Sequence, residues 1–191
     1  MGAKRVWSCH LSEDAFMKCC ARLIVILLLS ATAAFAAAPG KTAKWFDDFA
    51  AAKAAARKEG KPILANFTGS DWCPWCIKLE NEILGQKAFL DYAGTNMVLF
   101  IADFPQRKNL PARVAKQNDG LQAKYKIEGF PTVLLLDAGG NVLGQTGYQQ
   151  GGADPFVANL KELLAKSGWK PGTATNQPAK NAAPAAVPVA K

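Results

Sequence analysis

The sequence predicts an α/β fold, with a mixed central sheet and helices on both of its faces. Apolar runs of strand length alternate with amphipathic helical stretches between residues 44 and 169. Strand–helix–strand order implies parallel pairing through a right-handed crossover, and the first half of this segment has that order. A turn signal at residues 137–140 lies between two strand-like runs and adds an antiparallel hairpin.

The first helix and the first strand are marked by apolar spacing. Four residues at helical spacing predict a helix that runs to about Glu59: Trp45, Phe46, Phe49 and Ala50. Gly60 and Pro62 end this helix. The apolar run 63–67 then lies between turn signals, which suits a buried strand.

A second helix follows a turn at residues 69–71. Ser70 or Asp71 is available as its N-cap, and its apolar positions are Cys76, Leu79, Ile83 and Leu84. Residues 97–103 predict the next strand because they form another short apolar run.

The second half contributes two helices and the hairpin. A long helical stretch places Val114, Leu121 and Tyr125 on one face, although Asp119-Gly120 weakens its middle. The runs 132–136 and 141–146 are the hairpin strands. The last helix has Asp154 as expected N-cap, Pro155 at its first position, and this apolar stripe: Phe156, Leu160, Leu163 and Leu164.

Both ends of the chain differ from this central domain. Lys18 and Arg22 precede the apolar run 23–29 and a series of small residues, which is the pattern of a secretory signal peptide. We expect residues 1–38 to be a leader, with Met17 as an alternative start, and the mature protein to be periplasmic. A membrane helix is the rival interpretation, but the apolar run is shorter than the roughly 20 residues that span a bilayer. Contact with the membrane would then require an uncleaved leader.

Composition divides the remainder into three parts. Residues 39–43 form a short linker, residues 44–169 the folded domain, and residues 170–191 a tail rich in Ala, Pro and Lys. The tail has too few large apolar residues to offset the entropy of ordering, so we expect it to be disordered.

The net charge does not indicate nucleic-acid binding. The full chain carries 23 basic and 15 acidic residues, for a net charge of +8. Loss of the leader leaves 19 basic and 13 acidic residues, a net charge of about +6. The basic residues are dispersed and form no long run, which favours a solvated surface over a nucleic-acid site.

We expect the mature protein to be a monomer.

Loss of the leader also leaves a simpler inventory of reactive side chains. The leader contains three of the five cysteines and the one histidine: Cys9, Cys19, Cys20 and His10. The two cysteines of the mature protein, Cys73 and Cys76, form a Cys-x-x-Cys motif, and export would place them in a compartment where disulfides persist. Zinc takes about four ligands, so a metal site would need a dimer. A structural disulfide is the other alternative, but so short a loop removes little unfolded-state entropy.

The setting of the pair favours thiol–disulfide exchange. The attacking species is a thiolate, and the unpaired N–H groups at a helix N-terminus stabilise it. Cys73 lies where the second helix opens, and Cys76 lies about one turn inside, within reach of a mixed disulfide on Cys73. Pro74 suits the first helical turn and removes a donor, so it tunes the redox potential. Trp72 and Trp75 would form an apolar rim that holds a polypeptide.

Two motifs give the chain a resemblance to a known family. Residues 61–76, which end in Trp72-Cys73-Pro74-Trp75-Cys76, resemble the active-site strand and helix of thioredoxin-family proteins. Residues 125–133 resemble the second signature of that family, in which a cis proline precedes a threonine. The resemblance, to exported members in particular, implies a thioredoxin-like fold over residues 44–167. It implies that Pro131 is cis and lies against the cysteines, so that Phe130 pairs with a substrate strand.

Two departures from the family pattern bear on the chemistry. Many thioredoxins have a buried aspartate that shuttles a proton to the resolving cysteine, and the matching residue here is Asn66, which does not titrate. Asp71 or a water would have to substitute for it. The order Pro74-Trp75 is similar to the proline–tyrosine pair of glutaredoxins, so a glutathione-linked reaction stays open.

These observations converge on an extracytoplasmic thiol–disulfide oxidoreductase that acts on protein disulfides, with reduction as the favoured direction. Cys73 attacks, Cys76 resolves, and Trp72, Phe130 and Pro131 shape the docking groove. No bound cofactor is expected, because electrons come from the dithiol of a redox partner. The rival is a binding or chaperone module that uses the same fold while its disulfide stays oxidised.

Overall fold

A five-stranded mixed sheet lies at the centre of the computed structural model, which describes residues 43–171. Its strands are β1 (Trp45–Phe46), β2 (Ile63–Thr68), β3 (Val98–Asp103), β4 (Thr132–Leu136) and β5 (Val142–Thr146). They lie in the order β1-β3-β2-β4-β5, in which β3 pairs in parallel with β1 and β2. The pairs β2–β4 and β4–β5 are antiparallel, so the predicted parallel ladder and hairpin are both confirmed.

Within residues 43–171, five α-helices surround the sheet: α1 (Phe49–Glu59), α2 (Pro74–Leu79), α3 (Lys87–Asn96), α4 (Ala112–Tyr125) and α5 (Ala153–Lys166). Helix α2 continues without a break into a π-helical segment, Glu80–Leu84. In this segment the Gly85 N–H donates to the Glu80 carbonyl at 2.8 Å, a bond across five residues instead of four. The segment directly follows the helix that carries the cysteines.

Each face of the sheet has its own apolar core because successive strand side chains point to opposite faces. In β2, Ile63, Ala65 and Phe67 pack in the core that includes Phe49 of α1 and Leu121 of α4. Leu64 packs in the other core, with residues of α2, the π-helical segment, α3 and α5. Helices therefore cover both faces, as the sequence predicts. Asn66 falls by alternation on the face of Leu64, the same face that α2 covers.

Three local features of the fold were predicted wrongly or missed, and a fourth, the N-cap of α2, is described with the active site. Trp45 and Phe46 pair as β1 with Leu99 and Phe100 of β3, and the first helix begins only at Phe49. Its N-cap is Asp48, whose carboxylate accepts from the N–H groups of Ala50 and Ala51. Helix α3 was not predicted.

The third wrong prediction concerns the start of the last helix. Its N-cap is Gly152 and not Asp154, which lies in the first turn of α5. Gly152 has a φ of 83°, in the region that favours glycine, so the chain turns into the helix before it reaches Asp154.

The predicted leader, most of the linker and the tail from residue 172 lie outside the described residues. Within residues 43–171, the helices are too short or too polar to cross a membrane.

Candidate active site

The cysteine pair lies where β2 ends and α2 begins. A turn follows Thr68, and the N–H groups of Trp72 and Cys73 both donate to the Gly69 carbonyl, at 3.3 and 2.9 Å. Cys73 has extended backbone angles and is the N-cap of α2, with Pro74 in the first turn. The sequence predicted Ser70 or Asp71 at this position, and that prediction was wrong. The N-cap is the first cysteine itself.

Cys73 and Cys76 are joined by a disulfide, with their Cα atoms 5.2 Å apart. Both are buried, at 4% and 2% exposure. The Cys76 N–H donates to Sγ of Cys73 at 3.2 Å, and the Gly69 N–H donates to Sγ of Cys76 at 3.4 Å. Each sulfur therefore faces a backbone donor. Such donors, added to the dipole of the helix N-terminus, favour a thiolate on Cys73 once the bond is reduced.

Pro131 lies beside the pair in the cis form that the resemblance implies. The Phe130–Pro131 peptide bond is cis, and the Phe130 carbonyl oxygen lies 3.7 Å from Sγ of Cys73. The Thr132 hydroxyl donates to the Gly129 carbonyl at 2.7 Å, which ties the start of β4 to this turn. A segment 57 residues away in sequence is thus brought against the first sulfur.

Trp72 is held by the ring of Phe130 and by the backbone of Phe104. Its ring meets Phe130 edge to face with centroids 5.9 Å apart, and Phe104 packs on Phe130 at 5.0 Å. The indole N–H of Trp72 donates to the Phe104 carbonyl at 2.7 Å. A Cβ added at Gly69 would lie 2.5 Å from the Trp72 ring, so only glycine admits the ring over this turn. The predicted rim residue Trp72 is therefore held beside Phe130.

Trp75 lies in a different cluster. Its ring packs on Tyr148 with centroids 5.4 Å apart, and Nζ of Lys78 lies over both rings, at 5.3 and 5.2 Å. The Tyr148 hydroxyl donates to the Glu82 carboxylate at 2.6 Å, and this bond is the main cause of the raised pKa of Tyr148. Tyr148 was not predicted as a neighbour of the site, because nothing in its local sequence relates it to Trp75.

Asp71 anchors the loop that follows β3. Its carboxylate accepts from the N–H groups of Gln106 and Arg107, at 2.9 and 2.8 Å, and the bond from Gln106 is the main cause of its lowered pKa. Ser70 makes a parallel connection, since its N–H and hydroxyl donate to Asp103 at 3.0 and 2.7 Å. Asp71 is thus engaged with a loop, which favours anchoring over the proton transfer considered for it above.

Asn66, a strand residue of β2, lines a pocket of about 410 Å³ next to the cysteine pair. The residue is 3% exposed, and its Oδ1 atom accepts no hydrogen bond from the described residues. Cys76 lines the same pocket, as does Glu80, which was not predicted as a site residue. Asn66 therefore shares its pocket with the resolving cysteine, whereas the attacking cysteine does not line it.

Comparisons with known proteins identify the family. A family model for a thioredoxin-like domain matches residues 49–163. The chain is 37% identical over 119 residues to the disulfide bond reductase DsbH of Chlamydia pneumoniae, an alignment that covers 62% of this chain and 72% of that protein. The chain belongs to the thioredoxin-like family. With the cysteine pair joined at the start of α2, it is a thiol–disulfide oxidoreductase.

Other relatives agree with this assignment. The thioredoxin-related protein DsbJ of Chlamydia pneumoniae is 27% identical over 92 residues, which cover 48% of this chain and 26% of that protein. A solved structure of a DsbH oxidoreductase superposes with a TM-score of 0.63 at 34% identity, covering 73% of this chain and 98% of the other. A thioredoxin from Thermus thermophilus shares the fold, with a TM-score of 0.51 at 17% identity over 66% of this chain and 91% of the other.

As in other thioredoxin-like proteins, the redox group is the disulfide itself, which passes electrons between protein thiols and a redox partner. The thioredoxin-like domain described here contains no group of three or more His, Cys, Asp or Glu side chains placed to hold a metal ion. The site thus brings together Cys73, Cys76, Trp72, Phe130 and Pro131. It directs Trp75 and Asp71 to neighbouring clusters.

Proposed function

We propose that this protein reduces disulfide bonds in other proteins outside the cytoplasm. The observation that carries the proposal is the buried Cys73–Cys76 pair at the opening of α2, with the cis Pro131 segment against its first sulfur. The proposed direction, reduction, is supported by the relative DsbH, which is named a disulfide bond reductase. The alignment covers 72% of that protein.

The reaction requires two successive exchanges. The Cys73 thiolate attacks one sulfur of a substrate disulfide, a Cys73–substrate bond forms, and the other substrate sulfur leaves and takes a proton from solvent. Cys76 then loses its proton and attacks Sγ of Cys73, which releases the second substrate thiol. The substrate gains two electrons and the pair is oxidised, so the dithiol of a redox partner must reduce it again.

The substrate would dock against Trp72, Phe130 and Pro131. The Phe130 carbonyl is already within 3.7 Å of the Cys73 sulfur, so an extended chain aligned along this turn would present its disulfide to that atom. The Trp72–Phe130 edge-to-face contact gives this segment a fixed apolar wall. Aromatic walls of this kind grip polypeptides with little loss of side-chain entropy.

Insulin reduction tests the catalytic roles. We expect the mature protein to accelerate the reduction of insulin by dithiothreitol and the Cys73→Ser variant to have no effect. The Cys76→Ser variant should accumulate a mixed disulfide on Cys73, visible by mass spectrometry. A wild-type protein no faster than Cys73→Ser would contradict the enzymatic role and favour a binding module.

The direction is tested separately by the reduction potential of the Cys73–Cys76 couple. We expect a value near the roughly −270 mV of thioredoxin, and a value near the roughly −120 mV of a strong oxidant would contradict a reductase. Fluorescence of Trp72 and Trp75, measured against glutathione buffers of known ratio, provides the readout.

The leader pattern supports the proposed location. We expect the protein to be recovered from the periplasm, with a mature N-terminus after Ala36 or Ala38, where small residues precede Pro39. N-terminal sequencing of the native protein checks this expectation. A chain that keeps residues 1–38 and fractionates with the cytoplasm would contradict it.

A glutathione-linked reaction is the second candidate, favoured by the order Pro74-Trp75. The Cys76→Ser variant would then form a mixed disulfide with glutathione that free glutathione reduces efficiently. Reduction of that adduct no faster than the uncatalysed exchange would exclude this candidate.

A further inference from the structure

The resolving step requires a proton acceptor for Cys76. This cysteine is 2% exposed, and a buried thiol gives up its proton less readily than an exposed one. Asn66, which shares the pocket with it, is neutral and takes up no proton. A base for the second exchange must therefore come from elsewhere.

Glu80 lies one helical turn after Cys76. Its N–H donates to the Cys76 carbonyl, so the two residues fall on one face of the helix. Both line the pocket of about 410 Å³, far larger than the roughly 30 Å³ of one water molecule. Glu80 is exposed as a residue and lines this pocket, while partial burial of its carboxyl raises its pKa.

Two further observations single out this position. The helix changes from α to π at Glu80, and such π-turns occur frequently at functional sites. The buried Asn66 also lines the pocket, and its Oδ1 atom has no donor among the described residues. A polar atom in this state is a suitable partner for water that carries a proton.

The other residues of the pocket offer no competing base. Glu80 and Cys76 are its two titratable members, and the sheet contributes neutral side chains: Trp45 from β1, Asn66 and Thr68 from β2, and Ile101 from β3.

Three carboxylates that contact or adjoin residues of the pocket have partners of their own. Asp103 accepts from Ser70 and pairs with Lys108 at 3.0 Å. Glu82 accepts from Tyr148 and lies 3.9 Å from Lys78. Asp71, as described above, is bound to the loop after β3.

We propose that Glu80 is the proton relay of the resolving cysteine, an inference that rests on the proposed roles of Cys73 and Cys76. The Glu80 carboxylate takes the thiol proton of Cys76 through water in the pocket as the Cys76 sulfur attacks Sγ of Cys73. The Cys73–substrate bond breaks, and the released substrate sulfur is protonated by solvent. When a partner dithiol later reduces the pair, Glu80 returns a proton to the departing Cys76 sulfur.

The test separates the two exchanges with dithiobis(nitrobenzoic acid), whose thiolate product is coloured. The reduced protein is kept in excess, so the first thiolate is released when Cys73 attacks and the second when Cys76 resolves the adduct. The second release is independent of concentration. We expect the Glu80→Gln variant to keep the first rate and to slow the second by about tenfold or more at neutral pH.

The pH profile distinguishes a proton relay from a structural effect. In the wild type the second rate should rise as Glu80 ionises and then level off, whereas in Glu80→Gln it should rise with pH until the thiol ionises by itself. The two rates should therefore converge at about pH 9 or above. Glu80→Asp should retain the levelled profile. Glu162→Gln, which removes the same charge from the exposed surface of α5, should behave as the wild type.

Each outcome decides one question. No first release in the wild type would contradict the proposed function itself. A normal first release with a second release unaffected by Glu80→Gln would contradict only the proton relay. A slower second release at every pH, in Glu80→Gln and Glu80→Asp alike, would assign Glu80 a structural role and also overturn the relay.

Discussion

The contact between Gly69 and Trp72 provides a test of how Trp72 is held against Phe130, the pair that forms the proposed docking wall. In Gly69→Ala, the new Cβ would lie 2.5, 2.6 and 2.8 Å from the Cε2, Nε1 and Cζ2 atoms of Trp72. Ordinary carbon contacts begin near 3.5 Å, so the ring must retreat by about 1 Å. A ring displaced that far does not keep both its 2.7 Å bond to the Phe104 carbonyl and its edge-to-face contact with Phe130.

The cost follows from these losses. A hydrogen bond contributes about 1 kcal/mol, an aromatic pair about 0.5–1.5 kcal/mol, and overpacking generally costs about 1–3 kcal/mol. We expect Gly69→Ala to lower the free energy of unfolding by about 2 kcal/mol. Because Trp72 belongs to the proposed docking wall, insulin reduction should also slow severalfold.

Urea unfolding and the insulin assay measure these two effects, and Gly120→Ala is the matched control. Gly120 lies within α4 with nothing within 4 Å of an added Cβ, so the same substitution there should be neutral or stabilise by up to about 1 kcal/mol. If Gly69→Ala unfolds within about 0.5 kcal/mol of the wild type and reduces insulin as fast, the packing argument is refuted.

Two further predictions concern pH. The hydroxyl of the half-buried Tyr125 donates to the Gly140 carbonyl at 2.8 Å, and partial burial raises the pKa of this group from 10.0 to about 12. The stability that this hydroxyl contributes is therefore complete below pH 10 and is lost as the pH rises towards 12. Tyr125→Phe should cost about 1 kcal/mol at neutral pH and lose less stability on alkaline titration than the wild type in urea unfolding, and equal losses would contradict this assignment. The pKa of Asp71 is lowered from 3.8, mainly by the Gln106 N–H, so its anchoring is complete above 3.8 and lost as the pH falls through the lowered value. Asp71→Asn should accelerate hydrogen exchange at the amides of Gln106 and Arg107 at neutral pH, and unchanged protection there would contradict the anchoring.

Most of the sheet and the cysteine pair were predictable because their signals are local. Apolar runs between turn residues mark β2 and β3, and glycines mark the hairpin of β4 and β5. The cysteine pair was predicted at the opening of α2, where Pro74 has no need of an N–H partner, although the N-cap was assigned to Ser70 or Asp71 and is Cys73 itself. The cis Pro131 came from the family resemblance, since spacing alone does not specify a cis bond.

Two of the wrong or missing predictions depend on partners distant in sequence. Trp45 and Phe46 have helical spacing with Phe49, yet Leu99 and Phe100 supply a strand edge that the local pattern does not reveal. Glu80 was missed for a similar reason. Its position one helical turn after Cys76 can be seen in the sequence. The pocket that the two residues share cannot, because it is formed by three strands and a helix that are distant in sequence.

The π-helical segment at residues 80–84 determines how this helix would respond to the deletion of a residue. A turn of π-helix contains about one residue more than a turn of α-helix, and this extra residue rotates the side chains beyond it by about 100° around the helix axis. The cysteines fix the orientation of the start of the helix, while Ile83 and Leu84, at the end of the π-helical segment, are buried in the core that includes residues of α3 and α5. Deletion of one residue from the segment would restore a regular α-helix, but it would rotate these two side chains by about 100° relative to the sulfurs. The extra residue thus allows one helix to place the cysteines in the site and its last apolar residues in the core.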